Sequence, residues 1–304
     1  MLPRLLLLLL LAACAAPETT PPPPEVPGPR AGALGQPQGR WRDQMHRVPM
    51  QAANGQRRFI TMRFCRPEGD AAAPLVVVNH GAPVDRASLP GMIATRCETE
   101  AVRWFLQRGF TVAVPLRRGF GASGGAYVES LGRCDAPDPT NSAEEVARDA
   151  EAALAYARAL PGVDAARPAV VVGQSAGGWG GLAVASHNPP GIGAMLNFAA
   201  GRGGWANGRP NNVCRPDLLV AAASGFGAKA RVPALFIYTV NDSFFGPELA
   251  TRLVGAYTAA GAPAELRQLG PFGQDGHGLF FGQYGSETWG PLAEDFLRRQ
   301  GMLP

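Results

Sequence analysis

The hydrophobic positions of this 304-residue chain fall into two alternating patterns from about residue 57 onward. Short apolar runs of strand length alternate with longer segments in which apolar residues recur at helical spacing. We predict strands at 59–64, 75–79, 111–115, 169–172, 194–198, 234–238 and 265–269. We predict helices near 97–108, 142–159, 176–187, 247–260 and 289–300. The chain is therefore expected to be built from alternating strands and helices.

Several of the predicted strands, such as Val170–Val172, are apolar at every position. Strands that are buried on both faces show this pattern, and they occur in parallel sheets that helices cover on both sides. Strands that alternate with helices of this length also indicate βαβ units. We therefore expect an α/β fold with a mainly parallel central sheet and helices on both faces. No second domain boundary or internal repeat is visible, so residues 41–304 are predicted to form a single domain.

The first 40 residues follow neither pattern. Arg4 precedes an unbroken apolar run over Leu5–Leu11, which is shorter than the roughly 20 residues of a membrane-spanning helix. The run ends in the sequence LAAC at Cys14, which resembles a bacterial lipobox, where cleavage precedes a cysteine that becomes lipid-modified. We predict a signal peptide at 1–13 and a lipidated, proline-rich tether at 14–40. The alternative is an ordinary signal peptide with an incidental cysteine.

The lipobox interpretation places the protein in a bacterial cell envelope, where the lipid on Cys14 would anchor it to the membrane. Ala15 follows the cysteine instead of aspartate, which favours the periplasmic side of an outer membrane. This compartment is oxidising, so disulfides are expected among the remaining cysteines, with free buried thiols as the alternative. These cysteines are Cys65, Cys97, Cys134 and Cys214. Four cysteines allow three complete pairings, and the sequence does not choose between them.

The charge pattern does not favour nucleic acid as a partner. The chain is 46% hydrophobic and 17% charged, with a formal net charge of +4. Lys229 is the only lysine, and the arginines are scattered along the chain. A nucleic-acid interface needs basic residues clustered on one face. We therefore predict that the protein binds no nucleic acid.

A serine held between glycines is the strongest chemical signal. The sequence GQSAG at Gly173–Gly177 fits the G-x-S-x-G nucleophile elbow, in which a strand turns sharply into a helix. The sequence GASGG at Gly121–Gly125 matches the same pattern. Only the first match follows a predicted strand directly and opens a predicted helix. We therefore predict that Ser175 is a nucleophile and that Ser123 belongs to a glycine loop.

A serine hydroxyl needs a base that takes its proton, usually a histidine. The chain has four histidines, and only His187 and His277 follow Ser175, as the order serine, acid, histidine requires. His187 ends the helix that begins after Ser175, so it lies far from the elbow. His277 lies between glycines after the last predicted strand, where open parallel sheets place their sites. His277 is the predicted base.

The histidine in turn needs a carboxylate that orients its ring. Asp242 ends the segment VPALFIYTVND, a core strand that runs into a turn at the same sheet edge as Ser175 and His277. The other acids between the serine and the histidine fit less well, because they open helices or a strand or lie too close to His277. They are Asp217, interpreted as a helix cap, Glu248, Glu265 and Asp275. Asp242 is the predicted acid.

Two backbone N–H groups are expected to form an oxyanion hole. One belongs to Ala176, the residue after the nucleophile, and the other to the loop NHGA after an early strand, where we choose Ala82. His80 in that loop is expected to shape the loop and not to transfer protons. The irregular segment 201–216, rich in glycine and asparagine, is expected to cover the site.

Five segments in order carry a family resemblance over residues 57–300. They are VVVNHG, PLRRGFGASGG, VVVGQSAGGWGG, VPALFIYTVND and GQDGHGLF. Together they resemble the dienelactone hydrolase and prolyl-oligopeptidase-like group of α/β-hydrolases. The resemblance implies the α/β-hydrolase fold, a triad of Ser175, His277 and Asp242, and neither a metal nor an organic cofactor. One departure matters: dienelactone hydrolases use a cysteine nucleophile, so the family name does not indicate the substrate.

These observations predict a serine hydrolase that cleaves a small-molecule carboxylic ester through an acyl-enzyme. The alternatives are a peptidase or amidase with the same residues and a non-catalytic envelope lipoprotein. Arg117 and Arg118 are weaker candidates for contact with an acidic substrate. The natural substrate, the acyl length and the oligomeric state stay open.

Overall fold

The computed structural model describes residues 30–303, which contain eleven strands and six α-helices. The strands are β1 (Gly32–Ala33), β2 (Gln44–Gln51), β3 (Arg57–Cys65), β4 (Leu75–Asn79), β5 (Thr111–Leu116), β6 (Gly132–Arg133), β7 (Ala136–Pro137), β8 (Ala169–Gln174), β9 (Ile192–Phe198), β10 (Ala234–Thr239) and β11 (Ala264–Leu269). The helices are α1 (Glu100–Leu106), α2 (Pro139–Arg158), α3 (Ala176–His187), α4 (Pro216–Gly227), α5 (Pro247–Ala259) and α6 (Gly285–Arg299). The predicted signal peptide and the predicted lipidation site at Cys14 lie outside the described residues.

Nine strands form one sheet in the order β1-β2-β3-β5-β4-β8-β9-β10-β11. The pairings from β1 to β5 are antiparallel, and every pairing from β5 across to β11 is parallel. The remaining strands, β6 and β7, form a small hairpin. The predicted mainly parallel sheet is confirmed.

Helices cover both faces of the sheet because its central strands are apolar at every position. Val170 and Val172 of β8 pack in one hydrophobic cluster with residues of α1 and α6. Val171 points to the other face, where it packs with residues of α2, α3, α4 and α5. Successive side chains of a strand point to opposite faces of the sheet, so a continuous apolar run packs against the helices on both faces.

The register of the sheet aligns the carboxyl ends of three neighbouring strands. Asn79 of β4 pairs with Gly173 of β8, and Gly173 in turn pairs with Asn197 of β9. The loops that leave these strands therefore begin at the same edge. This is the edge at which open parallel sheets place their functional groups.

Five elements lie outside the sequence predictions, namely β1, β2, β6, β7 and α4. Strand β2 contains Pro49, and a proline argues against a strand because it has no N–H to donate to a neighbouring strand. Strand β1 pairs only with His46 and Arg47 of β2, so Pro49 has no neighbour on that side. Helix α4 contains the run Ala-Ala-Ala-Ser-Gly at its centre, which gives a weak amphipathic pattern. Residues 32–33, assigned to the tether in the sequence analysis, pair with β2. Asp217 lies in the first turn of α4, whose N-cap is Arg215.

The four cysteines form two disulfides. Cys65 at the end of β3 bonds Cys97, which precedes α1, and both are fully buried. Cys134 in the turn between β6 and β7 bonds Cys214, which precedes α4. These contacts choose one of the three pairings that the sequence left open. Among residues 30–303, no helix is both long enough and apolar enough to cross a bilayer.

Candidate active site

Ser175 lies at a strained turn between β8 and α3. Its backbone has φ 56° and ψ −120°, a conformation that costs a non-glycine residue on the order of 1–3 kcal/mol. The glycines beside it are required by space: a Cβ on Gly173 would lie 2.4 Å from the carbonyl oxygen of Gly177. A Cβ on Gly177 would lie 2.4 Å from the carbonyl oxygen of Asn79 in β4. The turn therefore presses against the end of β4, as the elbow interpretation expects.

Asp242 and His277 contact each other at the same sheet edge. The His277 Nδ1 atom lies 3.0 Å from Asp242 Oδ1 and 3.2 Å from Oδ2. Since a carboxylate only accepts, Nδ1 carries the proton and Nε2 stays available as an acceptor. The Asp242 side chain is fully buried, and its Oδ1 also accepts the backbone N–H groups of Phe244 and Phe245. The carboxylate therefore holds one tautomer of the imidazole.

Other groups fix the position of the His277 ring. The ring of Phe244 stacks on it at a centroid distance of 3.9 Å, and Phe245 meets its edge at 5.7 Å. Gln174, directly before Ser175, donates its side-chain N–H to the His277 carbonyl oxygen at 3.0 Å. Asp275 accepts the His277 backbone N–H at 3.0 Å. The loop that carries the imidazole is thus tied to the strand that carries the serine.

The expected contact between the Ser175 hydroxyl and the imidazole is not formed in this structure. Among residues 30–303, the hydroxyl has no hydrogen-bond partner, and Ser175 lines a cavity. Hydrogen bonds between catalytic groups are often long before the substrate binds and shorten in the complex. Asp242 therefore contacts the His277 ring directly, whereas Gln174, next to Ser175, contacts the His277 backbone carbonyl.

The two predicted oxyanion donors lie close to Ser175, one next to it in the chain and one in the loop after β4. Ala176 is the first residue of α3, where backbone N–H groups lack partners inside the helix. The Ala82 N–H donates to no acceptor within the described part of the chain, and Ala82 lines the same cavity as Ser175. Its neighbour Gly81 is so close that an added Cβ would lie 3.2 Å from Ser175 Cβ. Within the described residues, neither N–H group has a recorded backbone acceptor.

The cavity beside Ser175 has a volume of about 230 Å³. Its walls come from the loop after β4, the hairpin region near β6, the segment 201–216 and the loop after β10. The lining residues are Ala82, Pro83, Val84, Arg86, Tyr127, Ser130, Leu131, Ser175, Gly201, Arg202, Gly203, Gly204, Trp205, Ala206, Cys214, Phe244 and Phe245. The segment 201–216, which we expected to cover the site, supplies one wall.

That wall is attached to the loop that carries the acid. The Trp205 Nε1–H donates to Ser243 Oγ at 3.2 Å, and the Asn211 side-chain N–H donates to the Asp242 carbonyl oxygen at 3.1 Å. The Cys134–Cys214 disulfide joins the wall to the hairpin on the other side. Asn211 was not predicted from the sequence, because it belongs to no recognisable motif. Its role becomes visible only when the two loops are placed together.

The rejected candidates have structural partners. The Ser123 hydroxyl contacts the backbone N–H of Thr61 at 2.8 Å and donates to the Leu116 carbonyl oxygen. His187 lies on the outside of the molecule, where its ring nitrogens contact Glu144 and Glu151.

Arg117 and Arg118 do not line the cavity. They are buried in ion pairs with Glu129 and with Glu145 and Asp149, so their charges already have partners. In the part of the chain that the structure describes, no cluster of three or more histidine, cysteine or acidic side chains is placed to hold a metal ion.

Comparisons with known proteins identify the fold. No protein-family model and no curated protein matches the chain. Among solved structures, it is similar to an esterase from Pyrococcus furiosus, with a TM-score of 0.58, 15% identity, and 84% of this chain and 93% of that chain covered. A cold-adapted esterase from an Arctic intertidal metagenomic library has a TM-score of 0.54 at 17% identity, with 88% of this chain and 97% of that chain covered.

A third similar structure is a peptidase. The acylaminoacyl peptidase of Pyrococcus horikoshii has a TM-score of 0.57 at 15% identity, with 86% of this chain and 42% of that chain covered. At these identities the likeness concerns the fold alone. The chain has the α/β-hydrolase fold.

Proposed function

We propose that the protein is a serine hydrolase that cleaves carboxylic esters with Ser175, His277 and Asp242. The observation that carries the proposal is the buried Asp242 carboxylate bound to His277 Nδ1. This pair stands at the edge where the strained Ser175 lines a cavity. If Asp242 served only to form a turn, its buried carboxylate would not have to contact the His277 ring. Buried charges are costly unless they are paired.

Catalysis begins with the serine. The His277 Nε2 atom takes the Ser175 proton while Oγ attacks the ester carbonyl carbon, so a bond forms from oxygen to carbon and the carbonyl becomes an oxyanion. The Ala176 and Ala82 N–H groups stabilise that oxyanion. The intermediate collapses, the carbon–oxygen bond to the alcohol breaks, and the imidazolium gives its proton to the leaving alkoxide. The product is an acyl-enzyme on Ser175.

Water completes the reaction by the same path. His277 takes a proton from water, whose oxygen attacks the acyl carbon, and the second oxyanion is held by the same donors. Collapse of this intermediate returns the proton to Ser175 and releases the carboxylic acid. The sum of the two halves is ester plus water giving acid plus alcohol. Throughout, Asp242 keeps the imidazole in place and stabilises its charged form.

Cleavage of amide bonds is the second candidate. It is supported by the similarity to the acylaminoacyl peptidase, of which 42% is covered. Ester cleavage is preferred because the two similar esterases are covered over 93% and 97% of their chains. Parallel assays with p-nitrophenyl acetate and an aminoacyl nitroanilide separate the two candidates. A non-catalytic role would appear as failure of a fluorophosphonate probe to label the serine.

Ser175→Ala is expected to abolish hydrolysis of p-nitrophenyl acetate and labelling by a fluorophosphonate, because the attacking oxygen is removed. The matched control is Ser123→Ala, which alters the other serine that fits the same sequence pattern. We expect the control to keep turnover and labelling, with stability as the property that changes. Wild-type turnover in Ser175→Ala would show that the nucleophile is another residue.

Asp242→Asn is expected to lower kcat by about 10⁴-fold, since an amide in place of the carboxylate favours the wrong histidine tautomer. The amide oxygen can still accept the N–H groups of Phe244 and Phe245, so the fold should persist in circular dichroism. Asp275→Asn serves as the comparison, because Asp275 accepts the backbone N–H groups of His277 and Ser243 and the Ser243 hydroxyl, whereas the imidazole Nδ1 bonds to Asp242. A larger loss of kcat in Asp275→Asn than in Asp242→Asn would contradict the assignment.

Short acyl chains are expected to be preferred. The cavity volume of about 230 Å³ lies below the roughly 300–1,000 Å³ of pockets that enclose drug-sized ligands. We expect kcat/KM for p-nitrophenyl butyrate to exceed that for the octanoate by about tenfold, because the lining side chains must rearrange to admit the longer acyl chain. Trp205→Ala, which removes a lining side chain, should shift the preference toward the octanoate. A wild-type preference for octanoate would contradict the predicted size limit.

Lipid anchoring at Cys14 remains a proposal from the sequence. Its support is the apolar run that ends in LAAC, together with two disulfides that suit an oxidising compartment. We expect the protein expressed in a bacterial host to incorporate labelled palmitate and to sediment with membranes. Cys14→Ser should lose the label, and Ser123→Ala should keep it. Labelling that survives in Cys14→Ser would rule out this site.

A further inference from the structure

A buried charge cluster lies behind the loop that carries Ala82. We define it as Arg117, Glu129 and Arg202, none of which is more than 8% exposed. The Arg117 guanidinium contacts the Glu129 carboxylate twice, at 2.5 Å through Nε and at 3.0 Å through Nη2. Arg202 reaches the same carboxylate at 3.5 Å and lines the cavity. One carboxylate thus holds two guanidinium groups between the cavity and the loop.

Arg117 also donates hydrogen bonds to the loop that carries Ala82. Its Nη1 donates to the His80 carbonyl oxygen at 2.6 Å, and its Nη2 lies 3.5 Å from the Gly81 carbonyl oxygen. Its backbone N–H donates to His80 Nε2 at 3.3 Å. With Glu129 holding the other side of the guanidinium, Arg117 has little freedom to move. The loop carbonyls are therefore bound to a fixed group.

The contacts of His80 define its tautomer. A backbone N–H can only donate, so the Arg117 N–H requires Nε2 to accept. Nδ1 must then carry the proton and donate to the Gly81 carbonyl oxygen, 2.6 Å away. Burial, and then the nearby Arg117 charge, hold the pKa of His80 well below its ordinary value. The ring is neutral and makes two directed hydrogen bonds.

The Gly81 carbonyl and the Ala82 N–H belong to one peptide unit. In a trans peptide these two groups point in opposite directions, and no cis peptide occurs among the described residues. A bond that fixes the carbonyl therefore fixes the direction of the N–H. Gly81 also lies close to the elbow, because a Cβ there would lie 2.4 Å from Gln174 Oε1 and 3.2 Å from Ser175 Cβ. The carbonyl of this peptide is contacted by His80 Nδ1 and by Arg117 Nη2.

We propose that His80 and Arg117 are positioning residues that aim the Ala82 N–H at the developing oxyanion. The inference rests on the proposed function and adds which residues set the geometry of the oxyanion hole. The pair touches no reacting atom, so its effect must appear in the transition state more than in substrate binding. Loss of one oxyanion donor lowers kcat by about 10²–10³-fold in other hydrolases.

The test compares His80→Leu with His80→Asn. Leucine removes the bond to the Gly81 carbonyl, whereas the asparagine side-chain N–H can take the place of Nδ1–H. We expect His80→Leu to lower kcat by about 10²-fold with little change in KM, and His80→Asn to recover most of the loss. Affinity for a trifluoromethyl ketone, which forms an oxyanion on Ser175, should fall in parallel with kcat.

His46→Leu is the matched control, because His46 is also a buried histidine, 4% exposed, but lies in β2 away from the cavity. It should lower the melting temperature without changing kcat or inhibitor affinity. If His80→Leu behaves like this control, or if His80→Asn is no better than His80→Leu, the inference is overturned. A wild-type protein that neither turns over esters nor reacts with a fluorophosphonate would instead overturn the proposed function.

Arg117→Lys provides a second variant in case His80→Leu does not fold. Lysine keeps the charge next to Glu129 but cannot contact the carboxylate and the His80 carbonyl oxygen together. We expect a lower kcat and weaker binding of the trifluoromethyl ketone, with KM nearly unchanged. Wild-type kcat and inhibitor affinity in a folded Arg117→Lys protein would overturn the role assigned to Arg117.

Discussion

The close backbone approach between the Ser175 turn and the end of β4 is the constraint on which the site depends. Gly177 packs against the Asn79 carbonyl at a distance that excludes a Cβ, and Gly81 packs against the side chains of Gln174 and Ser175. This contact brings a strained serine next to a loop with a free backbone N–H. The strain at Ser175 is tolerated because the apolar strand β8 and the buried helix α3 hold both ends of the turn.

Buried charges hold the rest of the site in position. Asp242 is fully buried, yet it receives two backbone N–H groups and one imidazole N–H. Glu129 is equally enclosed and holds two arginines, one of which binds the loop after β4. Breaking such pairs leaves a charge without water or partner, which costs about 3–5 kcal/mol. The groups around the cavity are therefore arranged before any substrate arrives, as electrostatic stabilisation of a transition state requires.

The irregular segment 201–216 connects the surroundings of Asp242 with those of Glu129. Asn211 connects it to the backbone of Asp242, and Cys214 connects it to the hairpin of β6 and β7. Arg202 belongs to the same segment and reaches Glu129. A long loop with little regular structure thus becomes a wall of defined shape. Its rigidity comes from side-chain contacts and one covalent bond, because it lacks a hydrogen-bonded ladder of its own.

The sequence alone determined the order of seven strands, β3 to β5 and β8 to β11, and of five of the six α-helices. It also gave the elbow pattern at Ser175 and the choice of Asp242 and His277 as its candidate partners. These conclusions rest on local periodicity, on the glycines that a sharp turn needs, and on the position of polar residues at strand ends. Only the tertiary structure decided the disulfide pairing, the burial of Arg117, the tautomer of His80 and the attachment of segment 201–216. Each of these depends on contacts between residues that are far apart in the chain, and local sequence patterns do not predict such contacts.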